Sequence, residues 1–190
     1  MDEQAFWKLI DSAVSPNQEE SDYDYDKLED QLREFSPEGV LEFAAAMQRV
    51  VDRAYDWKLW GAADLIHGGC SDDAFEYFRG WLIAQGSEVY RQALANPDSL
   101  ADYLETYQGP APIEDEDILA IPYIVFQEMT GSDDGYETGV EIPEEPTGVR
   151  WNFDSEQEMQ RRLPKLAAMG PFEGNGNAEG EEEEDEEEGR

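Results

Sequence analysis

Asp72, Asp73, Glu76 and Arg79, spaced as Asp72-Asp73-x-x-Glu76-x-x-Arg79, are the residues of this chain whose types and spacing could do chemistry. Residues four apart share one face of a helix, so the Asp72 and Glu76 carboxylates could hold Mg²⁺ through oxygen ligands. The same residues also have a purely structural reading. Two carboxylates in a first turn answer the positive end of the helix dipole, and Glu76 and Arg79 pair along the surface. The structural reading leads, with Arg79 in an ion pair beside Asp72 and Asp73, and no metal or cofactor is expected.

His67 and Cys70 are the only residues of their kinds. A Cys–His nucleophile needs thiolate and imidazole within hydrogen-bond reach and an electropositive setting, and this setting is acidic. As metal ligands they would lack a third His or Cys. The expectation is a histidine at a helix C-terminus and a small buried cysteine in a turn. Trp57, Trp60 and Trp81, with Gln85 and His67, could floor a ligand pocket, although aromatics at helical spacing ordinarily form core. An amide buried at Gln85 must be hydrogen-bonded, to a neighbouring backbone or into that pocket.

All of these residues fall on Trp57 to Gly86, which reads as two helices joined by a glycine turn. The first runs from Trp57 to His67, and Gly68 and Gly69 supply a left-handed C-cap. Ser71 is the expected N-cap of the second, which runs to about Gln85 and stops at Gly86. Phe75, Tyr77, Phe78, Trp81 and Leu82 cover most of its circumference, as in a central helix.

This stretch, through Trp57-x-Leu59-Trp60-Gly61-Ala62-Ala63 and Gly69-x-Ser71-Asp72-Asp73-x-Phe75-x-Tyr77-Phe78-Arg79-x-Trp81-Leu82-Ile83, resembles an uncharacterised bacterial family. That family is a numbered domain of unknown function (four-two-four-zero), common in actinobacteria. Met1-Asp2-x-x-x-Phe6-Trp7, Thr130-Gly131, Trp151-x-Phe153-Asp154 and Leu163-Pro164-x-Leu166 extend the resemblance over roughly residues 1–168. It implies no particular activity. The Asp72–Glu76 run is also similar to the aspartate-rich metal motif of helical prenyl-diphosphate enzymes. This chain has no second such motif, no basic cluster for a diphosphate, and too few residues for that fold.

Charge bounds the function classes. The 190 residues carry 47 acids against 13 bases, a net −34. Ten acids and one arginine fall in residues 173–190, which leaves 37 acids and 12 bases, a net −25, on residues 1–172. Such a surface repels nucleic acid and anionic membranes and attracts basic partners. The alternative is that acidity serves solubility alone. A lone cysteine permits no internal disulfide and suits a reducing compartment. The N-terminus shows neither a positive n-region nor an apolar h-region, and no apolar run approaches the roughly eighteen residues that span a bilayer. A cytoplasmic location is expected.

Along the rest of the chain, apolar periodicity predicts helices over 2–13, about 23–35, and 37–55, the last with Ser36 as N-cap and Pro37 at its first position. Asp22-x-Asp24-x-Asp26 is no calcium loop, since Lys27 and Arg33 stand where Gly and Glu are required. Ser87 is expected to cap a helix over 88–95, Asn96-Pro97 to start another, and 114–130 to form a helix kinked or divided at Pro122. Residues 132–150 read as a loop with one short strand, and Asp154-x-x-Gln157 as a capping box for 155–163. The expected fold is mainly α: a single compact multi-helix domain over 1–172, of about seven or eight helices around the Trp-rich hairpin. Residues 173–190, with Glu181 to Glu188, are expected to form a disordered acidic tail.

The leading functional expectation is a non-enzymatic module that binds a macromolecule, most simply a basic protein. Neutralising a toxin or occupying a nucleic-acid-binding surface would be specific forms of it. The alternative is an enzyme or small-ligand binder using Asp72, Asp73, Glu76 and Arg79 against the tryptophans. Partner identity and oligomeric state are not written in the sequence.

Overall fold

The computed structural model describes residues 1–17, 22–107, 109 and 113–172. The expected acidic tail, 173–190, lies outside the described residues.

Local signals set most of the helices. α1 (Glu3–Ala13) is capped by Asp2, whose carboxylate accepts from the Ala5 N–H at 2.8 Å, and it buries Phe6, Trp7, Ile10 and Ala13. An antiparallel pair follows, β1 (Ser15–Asn17) with β2 (Asp22–Asp24), where an acidic loop was expected. α2 (Asp26–Arg33) therefore starts later than its apolar pattern suggested. Ser36 caps α3 (Pro37–Arg53), with Pro37 at its start as expected.

The hairpin matches its local code. α4 (Trp57–His67) is capped by Asp56 and closed by Gly68 at φ 71°. α5 (Asp72–Ala84) is capped by the Ser71 hydroxyl, which accepts from the Ala74 N–H. A cap of this kind stabilises by about 1 kcal/mol. α5 packs against α3 and α4, and also against α6 (Gly86–Ala95) and α8 (Asp117–Thr130). It is the central helix, with Phe75, Phe78, Trp81, Leu82 and Ile83 fully buried.

Several starts and stops differ from the local reading because distant groups set them. Ser87 does not cap α6. Its own N–H and hydroxyl donate to the Asp11 carboxylate of α1, at 2.7 and 2.6 Å. A 3₁₀ turn (Pro97–Ser99) leads into α7 (Leu100–Leu104). α8 runs through Pro122 as one helix and ends at Gly131 in the left-handed region. No strand forms in 132–150 beyond a single bridge between Asp56 and Thr147. α9 (Glu156–Arg162) is capped by the Ser155 hydroxyl alone, which accepts from the Glu158 N–H at 3.3 Å; the expected Asp154–Gln157 box does not form, and the Glu158 carboxylate pairs with Arg161 and Arg162. α10 (Pro164–Met169) brings the described helices to ten, more than expected because short pieces such as α7 and α10 form separately. Together they make one compact, mainly α domain.

Candidate functional site

α5 exposes Asp72, Asp73 and Glu76 but turns Arg79 inward, leaving it 8 % exposed. The Arg79 guanidinium carbon lies 4.8 Å over the Tyr55 ring and 5.2 Å from that of Phe75. Nε donates to the Phe75 carbonyl at 3.3 Å, and Nη1 to the Val51 carbonyl at 3.2 Å, in the last turn of α3. Among the described residues no carboxylate is close enough to form an ion pair with it. The expected Glu76–Arg79 and Asp72/Asp73–Arg79 pairs are therefore absent. The reason is geometric: the aromatic rings and the Val51 carbonyl near the end of α3 draw the side chain under α3, while the carboxylates stay in water. Burial pulls the guanidinium down from its ordinary range, and Glu76, Tyr55 and Asp52 oppose that.

Asp72, Asp73, Glu76 and Arg79 nevertheless line one cleft, of about 270 Å³, shared with Asp52 and Tyr55 and closed by Ile142 and Pro143. Burial raises the Asp52 carboxyl, against a hydrogen bond from Gln48 at 2.8 Å and the charge of Arg79. The cleft thus has a cation in its wall and carboxylates at its mouth. Among the described residues, no three His, Cys, Asp or Glu side chains are grouped to hold a metal ion.

Tyr55 and Asp72 also border a second hollow, of about 440 Å³, lined by Trp57, Trp60, Glu144, Glu145, Arg150 and Phe153. Trp57 and Trp60 stack with centroids 5.2 Å apart and planes 7° apart, and Trp60 stacks on Phe75 at 4.8 Å. The outer wall is a loop pinned at Thr147. Its N–H donates to the Tyr55 carbonyl at 2.8 Å, its carbonyl accepts from the Trp57 N–H at 3.0 Å, and its hydroxyl donates to Asp56 at 3.1 Å.

Trp81, Gln85 and His67 lie elsewhere. Trp81 is fully buried, and its indole N–H donates to the Tyr107 hydroxyl at 3.0 Å. Gln85 donates to the Tyr23 hydroxyl (2.6 Å) and the Trp81 carbonyl (2.7 Å), and accepts from Tyr103 (2.8 Å). The amide is used up inside the fold. His67 sits at the end of α4, with Nε2 3.2 Å from the Ile113 carbonyl, Nδ1 3.6 Å from Glu114, and its ring edge-on to Phe78. Burial, then the charges of Asp64, Glu114 and Asp72, push the Cys70 thiol up to about 12. Such a thiol is no nucleophile at neutral pH.

A wider hollow, about 730 Å³, runs between α1 and α6 over Trp7. On its rim Glu3 is paired with Arg53, and Asp11 accepts from Ser87. Sequence reasoning missed Asp52, Tyr55, Glu144, Glu145, Arg150 and Phe153 as site residues. Aromatic spacing in Tyr55-x-Trp57 and Trp151-x-Phe153 was the one available signal.

No curated protein and no solved structure matches the chain. A family match covers residues 1–128 and includes every carboxylate of α5, but it stops short of the loop that walls both hollows. It is to the family described as "Protein of unknown function (DUF4240)" that this chain, matched over residues 1–128, belongs.

Proposed function

We propose that the protein is a non-enzymatic cytoplasmic module that binds a basic protein. Charge carries the reading: residues 1–172 hold a net −25, a field that concentrates cationic partners and repels nucleic acid and anionic membranes. The exposed carboxylates of Asp72, Asp73, Glu144 and Glu145 stand around the two hollows, where that charge meets aromatic surface. Cys70 is free, which suits a reducing compartment. No helix among the described residues is long and apolar enough to cross a membrane.

The test is a pull-down from the native host at near-physiological salt, with the full chain, a chain ending at Phe172, and a full chain with its exposed acids in 1–172 reversed in sign. A basic protein retained by the first two and lost by the third is the expected result. Retention by all three would overturn the reading. Retention by the full chain alone would move binding to residues 173–190.

A small-ligand or enzymatic reading is favoured by one observation, the convergence of Asp72, Asp73, Glu76 and Arg79 on a single cleft. A thermal-shift series with Mg²⁺ and with small ammonium and carboxylate compounds tests it. A shift abolished by Arg79→Met or Asp72→Asn supports that reading, and the absence of any shift counts against it.

A further inference from the structure

Three guanidinium groups sit over rings in one corner of the fold. Arg79 lies over Tyr55, Arg150 lies 4.9 Å over Trp57, and Arg162 lies 4.9 Å over Trp151. Two of the three have other work. Arg79 is buried and bonded to carbonyls, and Arg162 donates to Glu158 at 2.8 Å. Arg150 has none. It is exposed, and among the described residues no hydrogen bond or ion pair holds it, although Glu144 and Glu145 border the same hollow. A cation over an exposed ring is held only weakly. Trp57 is half-buried, stacked on Trp60 and lying under this loosely held arginine.

We infer that the outer face of Trp57 is a receptor for an arginine side chain of a basic polypeptide, and that Arg150 is the chain's own placeholder there. The inference rests on the basic-partner reading and gives that reading a site. The face supplies what a guanidinium needs: a flat π-surface, a second ring in Phe153 6.1 Å from Trp57, and carboxylates at Asp72, Glu144 and Glu145 to take the N–H groups. Charge complementarity selects a cationic occupant over an apolar or acidic one, because the hollow has three carboxylates at its border and Arg150 as its one base. An arginine fits better than a lysine because its planar group stacks on indole while its edge stays free to bond. Arg150 then acts as an internal competitor: a partner's arginine must displace it, and the loop pinned at Thr147 lets it swing away without unfolding the wall.

The experiment is fluorescence anisotropy of a dye-labelled, capped arginine–glycine peptide titrated with the full chain at near-physiological salt. Matched lysine and citrulline peptides serve as comparisons. Arginine is expected to bind tightest and citrulline, its neutral isostere, not to bind. Trp57→Leu should weaken the arginine peptide on the order of tenfold. Arg150→Gln should tighten it about threefold relative to Arg161→Gln, which removes an equal charge away from the hollow. Circular dichroism confirms that each variant is folded, and the exposed Arg150 position keeps the test decisive if Trp57→Leu is not. Equal binding of arginine and lysine peptides, unmoved by Trp57→Leu and equal in Arg150→Gln and Arg161→Gln, overturns the inference and leaves the basic-partner reading standing. No binding of either cationic peptide overturns the inference, and a basic protein still lost on charge reversal would keep the wider reading alive.

Discussion

The two ends of α5 treat polar groups in opposite ways. At its C-terminal end Trp81, Gln85, Tyr23, Tyr103 and Tyr107 form a closed network in which the amide has partners on both sides. Toward its N-terminal end Asp72, Asp73 and Glu76 spend their charge on water, and Arg79, midway along the helix, lines the same cleft with no counter-ion in contact among the described residues. A closed buried network specifies a structure, because each lost partner strands another. An open one leaves interaction free for something that arrives. Tryptophan shows the same split: Trp81 is 0 % exposed, whereas Trp57 presents a face.

The largest expected effect tests that split directly. Trp81→Ala should destabilise by about 3–5 kcal/mol in chemical denaturation, and Trp57→Ala by roughly half as much or less. Equal costs would make Trp57 core and break the comparison. Gln85→Leu should cost about 1–3 kcal/mol, since it removes the acceptor of the half-buried Tyr103 hydroxyl and one partner of the Tyr23 hydroxyl, which keeps its bond to Tyr107. Arg79→Met should change stability by about 1 kcal/mol or less, because removing an unpaired buried charge offsets the lost bonds to Val51 and Phe75. A loss as large as that of Gln85→Leu would place Arg79 in the structural class.

The smallest effect is a pH slope. Burial raises the folded-state value of Cys70 from about 9 to about 12, so the folded chain keeps this proton to higher pH than the unfolded chain. The contribution of Cys70 is whole below pH about 9 and falls as pH rises toward about 12. Cys70→Ser should make the alkaline fall in denaturation stability shallower without abolishing it, since burial also raises Tyr90, Tyr103 and Tyr136. Alkylation of the native thiol should also stay slow at pH 8 and become fast only on unfolding.

The hairpin was legible because its signals are local. Apolar spacing, Ser71 and Gly68 fix α4 and α5 within a few residues of themselves. The site was half legible. The acids of α5 announced themselves, but the destination of Arg79 depends on the Tyr55 ring and the end of α3, which no spacing inside α5 reveals. Gly80 shows the same limit. On a wheel it joins the acidic stripe, yet a Cβ there would overlap the Asp115 carbonyl, so it marks a close approach between α5 and a distant segment. The loop that walls the hollows has no periodicity, and its place is set by Thr147 bonding to Tyr55, Asp56 and Trp57.

The cap of α10 has a consequence for how the chain comes to be folded. Asp98 is 6 % exposed, and its carboxylate accepts from the N–H groups of Lys165 and Leu166, the first of them 67 residues later. During synthesis the turn that carries Asp98 is complete long before those donors exist, and a carboxylate without donors resists leaving water. Until α10 is made, the segment from Pro97 to Leu104 lacks both the donors that Asp98 takes from Lys165 and Leu166 and the helix that packs on Leu100 to Leu104. A chain interrupted before α10 would leave the Asp98 carboxylate without these donors and α7 without the helix that packs over it.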